Sequence, residues 1–205
     1  MERLIPGARR VEQNWENPIL VRWAENVRNA IDEADGPVWL IAHSFGCLAA
    51  VVAASDRVNK TAGVMLVAPA NPERFNLGGI RHTEKTEDFS AKYSVTDVLP
   101  RKNLIFPSMV VASTNDTWMS YSKARFWSDC WGSHLITLDN AGHINVASGF
   151  GPWPQGLQIF RDFQDAFPSK QSPDLQHEIA SRIASRGRAG HVSRIRHYTR
   201  RYFGF

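Results

Sequence analysis

Long apolar runs are missing from this sequence. Nowhere do its 205 residues string together the roughly 18–20 apolar side chains that a membrane-spanning helix needs. Met1 to Pro18 hold no apolar core of the kind a secretory leader carries. Cysteine is scarce: Cys47 and Cys130 are the only two, with no CxxC partner and no metal-ligand spacing. They read as small buried apolar side chains rather than as a disulfide scaffold or a metal site. Charged residues make up 21% of the chain against 43% hydrophobic, which excludes a disordered composition. These absences leave a soluble, cytoplasmic globular chain as the expectation.

Aromatic residues, by contrast, are abundant, with seven tryptophans and eleven phenylalanines to fill a core. The net charge of +4 is unevenly spread. Residues 169–205 carry one lysine and seven arginines against Asp174 and Glu178, which leaves the rest of the chain net acidic. The expected organisation is a domain over residues 1–168 followed by a basic helical extension over residues 169–205.

Four apolar runs without alternation read as strands covered on both faces, as in a parallel sheet. They are Pro37 to Ala42, Thr61 to Ala68, Pro107 to Ser113 and His134 to Asp139. Ala8 to Gln13 is a weaker strand candidate. Between them, Leu20, Trp23, Val27 and Ile31 recur at helical spacing within Ile19–Ala34. Phe45 to Ser55, Thr117 to Trp131 and Pro154 to Phe167 also read as helices. Strands alternating with helices predict a three-layer α/β/α sandwich around a parallel sheet. Pro69 to Asn103 breaks the rhythm and reads as a cap or pocket-wall insertion.

The chemistry is concentrated at three predicted strand ends. Ala42-His43-Ser44-Phe45-Gly46 places a serine directly after a buried strand and directly before a helix of small residues. A sharp turn there lifts the hydroxyl clear of the sheet, and small residues at 42 and 46 let strand and helix approach closely. The Phe45 N–H would then stand at a helix N-terminus, able to donate to an oxyanion. Ser44 could instead merely cap the helix. A serine nucleophile needs a base, and the base needs an orienting acid. Asp116 follows the third strand and His143 the fourth, in the chain order Ser, Asp, His. His43, His82 and His134 are rival bases, as are His177, His191 and His197 in the tail. His43 adjoins the nucleophile, but a neighbour on the same turn should point elsewhere and bond locally. Asp97 and Asp139 are rival acids. Phe75, Trp118 and Trp153 could line an acyl pocket or could be ordinary core aromatics.

With these residues in view, the sequence resembles the small serine hydrolases that include bacterial YdeN-type proteins and the vertebrate retinoblastoma-binding serine hydrolase. The resemblance rests on Gln13-Asn14-Trp15-Glu16-Asn17-Pro18, Ala42 to Cys47, Ser113-Thr114-Asn115-Asp116, and Gly142-His143-Ile144-Asn145 running on to Pro154. It covers residues 4–167. It implies a compact α/β-hydrolase with a minimal lid, a triad of Ser44, Asp116 and His143, and no cofactor. Small esters are the implied substrates. Family members begin with a further strand and a glycine-containing loop that supplies a second oxyanion donor. This chain reads as N-terminally truncated relative to them, with weakened activity as the expected cost. The Leu-x-Cys-x-Glu partner motif is absent, so no retinoblastoma binding carries over.

Two functions follow as expectations. One is an esterase-like hydrolase acting through an acyl-enzyme. The other is a weak or inactive hydrolase-fold binding protein whose residues 186–201, with Tyr198 and Tyr202 nearby, contact nucleic acid or an anionic surface.

Overall fold

The protein is described by a computed structural model, which describes residues 4–79 and 94–167. The basic extension, including residues 186–201 and the tail histidines, lies outside the described residues, as does His82.

Four strands form one parallel sheet in the order β1-β2-β3-β4: Val38–His43, Thr61–Val67, Ser108–Ser113 and His134–Leu138. Helix α1 (Leu20–Asp32) precedes β1, α2 (Phe45–Ser55) joins β1 to β2, and α3 (Tyr121–Trp131) joins β3 to β4. A fourth helix, α4 (Pro154–Ala166), follows β4. The chain divides into two compact units, Met1–Leu157 and Gln158–Phe205. All four strands, α1, α2 and α3 belong to the first.

The apolar pattern explains the layering. In α1, Leu20, Trp23, Val27 and Ile31 all point into the core, as their spacing predicts. Helix α2 is built of small and branched apolar residues, and eight of its eleven residues are buried. Both helices and α3 share one cluster with Val64, Leu66, Val110 and Ala112 from one face of the sheet. Met65, Val67, Met109 and Val111, from the opposite face, are buried as well. The central strands therefore have both faces covered.

Three expectations need correction. Strands β1 and β4 are the sheet's edges among the described residues and are only half-buried, with Ile41 exposed. Ala8 to Gln13 forms no strand. Its polar groups are taken by α1: the Gln13 amide donates to the Trp23 carbonyl, and Asn26 donates to the Glu12 carbonyl and to the Gln13 side chain. Thr117 to Ser120 stays out of α3, because the Trp118 N–H donates to the Asp116 carboxylate and Arg74 takes the Thr117 and Trp118 carbonyls. Of the two thiols, Cys47 is fully buried while Cys130 is only half-buried.

Candidate active site

The sheet register brings three loops to the same end of the sheet. His43, Val67, Val111 and Ile136 lie level across the four strands. Ser44 comes one residue after the end of β1, Asp116 three after β3 and His143 five after β4. All three therefore emerge at the carboxyl ends of parallel strands, where open sheets place ligand sites.

Ser44 stands between β1 and α2 with φ 54° and ψ −125°, a conformation L-residues rarely adopt. Its N–H donates to the Val67 carbonyl of the neighbouring strand at 3.1 Å, which pins the turn to the sheet. Gly46 has open space where a side chain would stand. Phe45 opens α2, so its N–H is one of the first-turn donors that a helix leaves unpaired within itself.

The structure brings Ser44, His143 and Asp116 into one chain of hydrogen bonds. The Ser44 hydroxyl lies 2.8 Å from His143 Nε2, and His143 Nδ1 lies 2.9 Å from Asp116 Oδ2. A carboxylate only accepts, so Nδ1 carries the proton and Nε2 is left to accept from the serine. The imidazole and the carboxylate are 8% and 3% exposed. Burying a carboxylate is costly unless it is bonded. Here the second oxygen, Oδ1, takes the Trp118 N–H at 2.8 Å.

The rivals are placed elsewhere. His43 does not bond locally: its Nε2 lies 2.8 Å from the His143 carbonyl, one hundred residues away in sequence. His134 sits in β4, half-buried, with burial pushing its pKa down. Asp97 belongs to a short 3-10 turn, Val95–Asp97. Asp139 lies in the turn just after β4, and it is Asp116 whose carboxylate meets His143.

Of the three aromatic candidates, Phe75 packs on the Phe45 ring at 4.8 Å and Trp118 lies 5.8 Å from the His143 ring. Trp153 is buried edge-on against Phe150, with Gly156 beneath its indole.

Several residues to which the sequence alone assigns no role brace the two loops. Asn115 Oδ1 accepts from the Gly142 N–H at 2.7 Å and from the Ser113 hydroxyl at 2.8 Å. Ser113 Oγ in turn accepts from the Ala141 N–H. The His143 N–H donates to Ser148 Oγ, which donates to Asn145. Backbone strain gathers here too. Asn140 and Ile144 have positive φ, at 52° and 48°, and for a β-branched residue such as Ile144 this is a strong departure. The available signal was compositional: short polar side chains flank both Asp116 and His143.

Among the described residues, no helix is long and apolar enough to cross a membrane. None of their His, Cys, Asp and Glu side chains forms a group of three or more able to hold a metal ion.

Comparison with known proteins follows the same lines. A family model described as "Serine hydrolase" matches residues 1–162. Among solved structures, the chain is similar to a protein assigned as a YdeN-like hydrolase in Pectobacterium atrosepticum, at 35% identity and a TM-score of 0.68. That match covers 81% of this chain and 80% of the other. Two more distant structures share the fold. A protein assigned as a lipase in Acinetobacter baumannii is 14% identical with a TM-score of 0.55, covering 82% of this chain and 74% of its own. One assigned as a non-haem bromoperoxidase in Mycobacterium tuberculosis is 13% identical with a TM-score of 0.53, covering 78% and 77%. No curated protein matches the chain.

Proposed function

The chain belongs to the serine hydrolase family, and from that premise we propose that it hydrolyses small carboxylic esters through an acyl-enzyme on Ser44. The observation that carries this reading is the continuous bond chain from Ser44 Oγ through His143 to Asp116, with contacts of 2.8 and 2.9 Å.

In the first half-reaction, Ser44 Oγ attacks the ester carbonyl and its proton passes to His143 Nε2. The imidazolium is held by the Asp116 carboxylate, which keeps the ring oriented and offsets its new charge. The carbonyl oxygen becomes an oxyanion facing the Phe45 N–H and the start of α2, whose dipole favours negative charge. Each such donor contributes about 3–4 kcal/mol to the transition state. Collapse expels the alcohol, which takes the proton from Nε2. In the second half, water gives its proton to Nε2 and attacks the acyl group. Collapse of this second intermediate breaks its bond to Ser44 Oγ, which takes the proton back from Nε2 as the acid leaves. Phe45, Phe75 and Trp118 supply an apolar wall suited to the acyl or alcohol portion. Residues 1–168 constitute the hydrolase domain in this reading, with residues 169–205 as an extension.

A fluorophosphonate probe tests the reading, because it traps an activated serine covalently. The wild-type chain should label on the peptide that contains Ser44, and Ser44→Ala should abolish labelling. Equal labelling of both would overturn the assignment.

A further inference from the structure

We propose that His43 is a positioning residue: its Nε2–H holds the main-chain carbonyl of His143 and so fixes the imidazole that faces Ser44. The inference rests on the reading of His143 as the general base and goes beyond it, because His43 touches neither the nucleophile's hydroxyl nor the acid.

The geometry is specific. His43 is the last residue of β1, and the loop that carries His143 arrives from β4 at the other edge of the sheet. The 2.8 Å contact between His43 Nε2 and the His143 carbonyl ties these two edges together. The rings meet edge-on, 4.8 Å apart and 62° inclined. His143 is thereby gripped at four atoms. Its N–H donates to Ser148, its carbonyl accepts from His43, Nδ1 donates to Asp116 and Nε2 accepts from Ser44. The next residue, Ile144, has the positive φ noted above, so this stretch of backbone is under tension and needs outside support.

The bond also fixes the chemistry of the His43 ring. A carbonyl only accepts, so Nε2 carries the proton and Nδ1 holds the lone pair of the neutral ring. Although the residue keeps exposed surface, burial of the ring pushes its pKa below the ordinary value, against the raising effects of the His143 carbonyl and of Asp116. A neutral His43 suits the site. A cation 4.8 Å away would oppose the imidazolium that His143 becomes during turnover.

The test uses the full chain in four forms: wild type, His43→Gln, His43→Met and His43→Asn. Gln offers an N–H donor of similar reach, Met has the same length without a donor, and Asn carries a donor that falls short. The readouts are kcat and KM on p-nitrophenyl acetate and the rate constant of fluorophosphonate labelling. Displacing a catalytic group by a fraction of its contact distance should lower kcat and labelling about 10- to 100-fold in Met and Asn, with KM within about twofold and Gln within about threefold of wild type. Met at wild-type rates, or Gln impaired as far as Met, would overturn the inference. If Met does not fold, Gln and Asn still decide: equal rates in these two would sink it. Labelling of wild type at Ser44 with all variants unchanged would leave the parent reading standing, whereas an unlabelled wild type would remove its foundation.

Discussion

The side chain of Asn115 holds the main chain of Gly142 at 2.7 Å, joining the loop after β3 to the loop after β4. The same oxygen takes the Ser113 hydroxyl, and Ser113 takes the Ala141 N–H, so two short side chains satisfy two consecutive backbone donors of the histidine loop. Asp116 and His143 thus sit on one braced unit rather than on two independent loops. Asn115→Ala removes the acceptor of the Gly142 N–H and of the Ser113 hydroxyl, which costs about 1–3 kcal/mol where such a group is buried. A lower Tm and a reduced kcat with nearly unchanged KM are expected. Asn115→Asp, which keeps the acceptor, should lose less of both.

Asp116→Asn tests the orientation of the imidazole. The amide can present its N–H to Nδ1, which favours the wrong tautomer and turns Nε2 from acceptor to donor. By analogy with other serine triads, kcat should fall by about 10³–10⁴-fold. The Trp118 N–H bond to the side chain survives, so thermal unfolding should change little. An Asn variant with wild-type kcat would argue for a different acid.

Gly142 is held by geometry as well as by hydrogen bonds. Its φ is +55°, and a Cβ there would stand 2.5 Å from Ser148 Oγ and 2.9 Å from Ser148 Cβ. Gly142→Ala therefore incurs about 1–2 kcal/mol of left-handed strain and pushes Ser148 off the His143 N–H. Lower stability in urea melts and slower fluorophosphonate labelling should appear together. Gly46→Ala, where nothing lies within 4 Å of the added carbon, serves as the control for a glycine next to the site.

Stability should fall on mild acidification. The pKa values of His43 and His134 are both lowered, in each case first by burial. Between the folded and unfolded values, the unfolded chain binds more protons than the native one. Their contribution is therefore full above the ordinary histidine pKa of about 6.5 and is lost as pH falls through the lowered folded values. A Tm series from pH 7.5 downward should decline across that window, and His134→Gln should flatten part of the decline. A Tm that rises on acidification would contradict both directions.

Much of this was legible in the sequence, for reasons that differ by element. Phe45–Ser55 reads correctly to the residue because a run of small apolar side chains after a buried strand has one good use, a helix packed on a sheet. Ser44, Asp116 and His143 could be nominated from residue type, chain order and strand ends alone. That they meet is a matter of register, which periodicity does not encode. The edges were misjudged because an apolar run has no mark distinguishing a central strand from one at the rim, and Val38–His43 is as apolar as its neighbour. The long-range contacts of Asn115 and His43 stayed silent for a related reason. Their partners are backbone atoms, which every residue has, so no side-chain pattern advertises the contact.

The register that lines up His43, Val67, Val111 and Ile136 also makes the site a gauge of folding. Its three principal residues hang from the first, third and fourth strands, so no half of the sheet carries them all. An intermediate with β4 undocked would retain most of its buried residues yet lack His143 beside Ser44. Recovery of labelling at Ser44 during refolding should therefore mark the closing of the last strand, later than fluorescence changes that report burial of Trp23 and Trp131. A chemical probe of one hydroxyl would then time the completion of the whole sheet.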